Sequence, residues 1–114
     1  MADFRKALSG NSVIVFDGAM GTLLQERGLP AGASPELWGL ENPGVVRAVH
    51  EDYLRAGARV VTTNTFGGTR FKLPHGTDIR RVSAEMARVA RQAAGENNFV
   101  AGSVGPTGHF VEPL

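Results

Sequence analysis

Three short apolar runs in this chain end on polar residues. Val13-Ile14-Val15-Phe16 leads to Asp17, Val60-Val61 leads to Thr62, Thr63, Asn64 and Thr65, and Phe99-Val100-Ala101 leads to Ser103. Glycines follow closely, at Gly18, at Gly67 and Gly68, and at Gly105. A carboxylate, several hydroxyls and an amide gathered in one place would hold a small polar ligand by charge and hydrogen bonds. The glycines would let that ligand approach the backbone. Each residue alone has a plainer reading. Asp and Asn are common in turns, and Asp17 could cap a helix starting at Met20 by accepting its N–H groups. The same polarity at three run ends favours one shared site.

Other chemistries have weaker support. Gly18-Ala19-Met20-Gly21 could cradle a phosphate at a helix start, but it lacks the G-x-G-x-x-G spacing and the Gly-Lys-Ser/Thr of a P-loop. His50, beside Glu51 and Asp52, is expected to be solvated. His75 and His109 follow different runs and could share the ligand-side edge, yet without a paired carboxylate they read as loop residues rather than metal ligands. No Ser-His-Asp or Cys-His arrangement can be argued from the spacings. Zero cysteines exclude a disulfide or a thiolate metal site within the chain.

The elements that must position these residues alternate. Ser12 to Phe16 is expected to be a strand buried on both faces. Met20 to Arg27 follows as a short helix, stopped by Gly28 and Pro30. Ala31 to Glu41 reads as irregular, anchored by Trp38 and Leu40. Asn42-Pro43 starts a helix with Asn42 as its cap, and Val46, Val49, Tyr53 and Ala56 form its inner stripe before Gly57. Arg59 to Asn64 is a second strand. A long helix runs from Thr77 or Asp78 to Ala94, burying Ile79, Val82, Met86, Val89, Ala90 and Ala93, and Gly95 ends it. Phe99 to Ser103 is a third strand. The strands begin about 40 to 47 residues apart.

Such alternation predicts an α/β fold with parallel strands and right-handed crossovers. A doubly wound sheet and a (β/α)8 TIM barrel both begin this way. Three strands cannot close a barrel, which needs about 250 residues, so a barrel would have its first three β/α units here. The 114 residues allow one modest domain, with 42% hydrophobic and 20% charged residues. Twelve basic residues against 11 acidic leave a net charge of +1, which makes no case for nucleic acid. No apolar run reaches the roughly 18 residues that span a bilayer. The N-terminus lacks the apolar core of a signal peptide, so a cytoplasmic protein is expected.

Four ordered blocks carry a resemblance: D-G-A-M-G-T-L-L-Q, E-L-W-G-L-E-N-P, A-G-A-R-V-V-T-T-N-T-F-G-G and A-G-S-V-G-P-T-G, between Asp17 and Gly108. Together they resemble the N-terminal part of homocysteine S-methyltransferase domains, including the homocysteine-binding barrel of cobalamin-dependent methionine synthase. The resemblance implies a (β/α)8 barrel that binds homocysteine at its C-terminal face, activates the sulfur on zinc, and transfers a methyl group to give methionine. It implies that Asp17, Gly18, Ala19 and Met20 sit beside homocysteine, with Asp17 suited to the ammonium group. Thr63, Asn64, Thr65 and Phe66 would line the pocket from the second strand, and Ser103 from the third. The family holds zinc with three cysteines on later strands, positions this chain does not contain.

Residues 1–114 are therefore expected to form the N-terminal portion of such a barrel, incomplete as a domain and inactive alone. Open edges would be met by the remainder of the barrel or by self-association. The methyl donor is left open, as is any cobalamin or folate domain. Two rivals remain: a phosphate- or nucleotide-binding α/β domain, and a non-catalytic interaction module that recruits a partner through its sheet edges.

Overall fold

A computed structural model describes residues 2–112. Leu114, at the end of the expected incomplete domain, lies outside them. The element order is α1 (Phe4–Ser9), α2 (Gly21–Glu26), α3 (Pro35–Glu41), α4 (Pro43–Arg55), β1 (Val60–Thr62), α5 (Ile79–Ala94) and β2 (Phe99–Ala101). The two strands are parallel, with Val60 opposite Phe99, Val61 opposite Val100 and Thr62 opposite Ala101. The fold is mixed α/β with parallel pairing.

The first expected strand narrows to a single parallel bridge, Phe16 to Val60. It nevertheless runs alongside β1, because the Arg59 N–H donates to the Val15 carbonyl (2.8 Å) and the Asp17 N–H to that of Val60 (2.9 Å). Burial on both faces does not hold. Val13 is 86% exposed, Val15 51% and Phe16 50%. Among the described residues this segment has a strand neighbour only on the β1 side, so nothing covers its other flank.

Helices α4 and α5 supply half of the buried apolar side chains among the described residues. Val46 and Val49 meet Leu24, Leu29, Met86 and Val89, while Val61 packs with Ala90 and Ala94. The long helix matches its expected bounds because its signals are strong. The Asp78 carboxylate caps it by accepting the Arg81 N–H (3.1 Å), and Gly95 ends it at φ 66°. Its stripe is rotated slightly, so that Ala94 is buried where Ala93 was expected.

Three local expectations are corrected. The segment 31–41 is not irregular throughout, since Pro35–Glu41 is helical: Pro35 suits its first position, and the Ser34 hydroxyl accepts the Leu37 N–H (3.2 Å). Asn42 stands at the cap position of α4 without capping it, because its side-chain amide donates backwards to the Trp38 carbonyl (3.0 Å). Ala56 is exposed, as α4 ends at Arg55. Helix α1, unforeseen from the sequence, is capped by Asp3 and sets Phe4 edge-on against Phe99 at 5.1 Å.

Candidate functional site

The end of the first apolar run turns its carboxylate onto the neighbouring strand. The Thr62 N–H donates to Asp17 Oδ2 (2.8 Å) and the Thr62 hydroxyl to Oδ1 (2.7 Å). Asp17 does not cap α2, whose cap position, Met20, has no side-chain hydrogen bond. The capping reading of Asp17 therefore fails. Tyr53, from α4, holds the loop from below: its hydroxyl donates to the Ala19 carbonyl at 2.6 Å. Burial and the nearby charge of Asp17 raise the Tyr53 pKa, which keeps the donated proton in place. Gly18 lies against the same ring, where a Cβ would sit 3.2 Å from the Tyr53 hydroxyl.

The end of β1 makes the opposite wall. Asn64 is buried and donates its amide to the Pro35 carbonyl (2.9 Å) and to Met86 Sδ (3.4 Å). Thr63 and Thr65 form a clasp to the end of β2. The Thr65 hydroxyl donates to the Ser103 carbonyl (2.8 Å), so across the 2.7 Å contact between the hydroxyls Thr63 is the donor. Thr63 Oγ1 in turn accepts the Ser103 N–H (3.0 Å).

These walls enclose an open cavity of about 670 Å³ at the carboxyl ends of the strands. Eight of the nine residues expected from the sequence line it: Asp17, Gly18, Ala19, Met20, Thr63, Asn64, Phe66 and Ser103. Thr65 does not, because its hydroxyl is drawn across to β2. Thr62, noted at its run end but not assigned to the ligand, also lines the cavity, and sequence reasoning missed Glu36 there. Glu36 was hidden in the supposedly irregular segment. The Ser-Pro-Glu start of a helix was the signal that would have found it.

The histidines lie elsewhere. His109 rests against Phe71, with ring centroids 5.0 Å apart, and neither His75 nor His109 lines the cavity. His50 corrects the expectation of a solvated residue: it is 0% exposed, and neither ring nitrogen has a partner. Burial pushes its pKa below the ordinary value, with the charge of Asp17 acting in the opposite sense. Among the described residues, no group of three His, Cys, Asp or Glu side chains could hold a metal ion.

A family model described as homocysteine S-methyltransferase matches residues 14–113. Homocysteine S-methyltransferase of Escherichia coli (strain K12) is 35% identical over an alignment covering 94% of this chain and 39% of that protein. Crystal structures of the homocysteine methyltransferase MmuM from Escherichia coli superpose with a TM-score of 0.77 for the oxidized form, at 33% identity. The metallated form gives 0.74 at 31%. Each superposition covers 92% of this chain, and 41% or 42% of the other. The chain thus spans about two fifths of the length of these relatives. Matched from the first apolar run to beyond the third, it belongs to the homocysteine S-methyltransferase family.

Proposed function

We propose that this chain supplies the amino-acid-binding wall of a homocysteine S-methyltransferase whose other elements lie in sequence beyond these residues. The carrying observation is the charge of the cavity. Asp17 and Glu36 line it, and no Lys, Arg or His is among its lining residues. Two carboxylates in a partly desolvated cavity suit a ligand with an ammonium group and repel a phosphate. An α-amino acid fits, and family membership names homocysteine. Asp17 would meet its ammonium group, with Gly18, Ala19 and Met20 along one side. Thr63, Asn64, Phe66 and Ser103 would line the other. Thr65 would act through its bond to the end of β2.

In the reaction that the family name describes, a bond forms between the homocysteine sulfur and a methyl carbon. The donor's bond to that carbon breaks, and the thiol proton is lost. This chain's part is to bind and orient the amino acid. Zinc does not fit the residues present, since there is no cysteine and no set of three ligating side chains among the described residues. In this reading the zinc ligands, the methyl donor and any cobalamin or folate are met by sequence outside the chain. The parallel strands become the first units of a (β/α)8 barrel in a cytoplasmic enzyme.

Equilibrium dialysis with L-homocysteine tests this. Wild-type chain is expected to bind it, without competition from inorganic phosphate. Asp17→Asn removes a charge-assisted bond of about 1.5–3 kcal/mol, and affinity is expected to fall about 10- to 100-fold. Equal affinity in the two proteins, or displacement by phosphate, would contradict the reading.

A further inference from the structure

Glu36 is the carboxylate of this cavity whose charge the protein leaves least answered. It is 4% exposed, yet its one hydrogen bond among the described residues comes from the Ser34 hydroxyl to Oε1 (3.2 Å). None of the ion pairs formed by the described residues includes it. Nor does it cap α3, whose N-terminus is capped by Ser34. Asp17 contrasts with it, because both of its oxygens already receive donors from Thr62. A carboxylate removed from water without a positive partner is costly, and a cation is the partner that offsets this best.

The group is also held in place. The Leu37 N–H donates to Ser34 Oγ (3.2 Å), leaving the hydroxyl proton free to point at Glu36. Gly67 backs the carboxylate from the other side, where an added Cβ would stand 2.7 Å from Oε1. The carboxylate opens onto the same cavity as Asp17. We propose that Glu36 is a specificity-determining residue that receives the ammonium group of the amino-acid substrate together with Asp17. This rests on the amino-acid reading given above and adds a second, less satisfied anion to it. An amine then binds through two carboxylates from different elements, and a ligand lacking the amine leaves both unanswered.

Titration calorimetry under reducing conditions tests this with L-homocysteine, 3-aminopropanethiol, which lacks the carboxylate, and 4-sulfanylbutanoate, which lacks the amine. Wild-type chain is expected to prefer homocysteine over 4-sulfanylbutanoate by at least about 10-fold. Glu36→Gln keeps the shape and the Ser34 contact, and should shrink that preference by about 10-fold through loss of homocysteine and 3-aminopropanethiol binding. Gly67→Ala keeps the charge but displaces the carboxylate, and is expected to shrink the preference in the same direction. It decides the matter if Glu36→Gln fails to fold. An unchanged preference in the folded variants, with homocysteine still bound by wild type, overturns the role of Glu36 and leaves the amino-acid reading standing. Failure of wild type to bind homocysteine overturns both.

Discussion

A neutral imidazole sealed in the core ties the stability of this chain to pH. His50 is buried with both nitrogens unpartnered, and its pKa in the folded chain lies below the ordinary value. As pH falls below about 6.5, the unfolded chain takes up a proton that the folded chain resists. The stability is therefore present above that value and is lost as pH falls through the folded pKa. Urea midpoints should drop between pH 7.5 and pH 5, and His50→Leu should drop less because it removes the titration and two unsatisfied buried atoms. Equal drops in the two proteins would contradict this. The sequence made His50 look exposed because Glu51 and Asp52 follow it. Successive helical residues face different directions, however, and the stripe of Val46 and Val49 was the better guide. Asp17 was legible for the opposite reason: a carboxylate interrupting an apolar run stands out in one dimension. Its bonds to Thr62 join residues 45 positions apart, and no local pattern carries them.

Among the elements, α3 was hidden from the sequence, as was the short α1. Seven residues are too few to establish a helical period, and Gly39 near the middle of α3 argues against a helix on propensity alone. The contacts explain the glycine. A Cβ there would stand 2.8 Å from Met86 Sδ, 3.0 Å from Asn64 Nδ2 and 3.2 Å from Val46 Cγ2, on three different segments. Gly39→Ala thus sets a propensity gain of about 1 kcal/mol against overpacking of about 1–3 kcal/mol. Met86 is fully buried and Asn64 is bonded to the Pro35 carbonyl, so neither can yield freely, and packing should win. Chemical denaturation should show a net loss of about 1 kcal/mol. A gain in stability would show that this wall of the cavity is looser than described. Helices α4 and α5 were legible because Pro43, Gly57, Asp78 and Gly95 mark their ends and their apolar stripes run long enough to count.

At the scale of the whole molecule, the chain is a slab of 44 × 41 × 22 Å with apolar surface facing outward at Val13, Val15, Phe16, Val104, Phe110 and Val111. Its relatives are more than twice as long. We propose that further strands cover these residues in a complete barrel, and that residues 1–114 alone cover them by self-association. Sedimentation velocity should show species heavier than the 12.1 kDa chain that grow with concentration. A monomer at every concentration, with a sharp thermal melt, would contradict this. The central claim is that the acidic cavity at the strand ends holds the amino acid, and hydrogen–deuterium exchange with and without L-homocysteine tests it most directly in any state of association. The account requires slower exchange in peptides covering 17–22, 35–37 and 62–67. No change there, or protection confined to the second cavity around Phe4 and Phe99 at the other end of the strands, would contradict it.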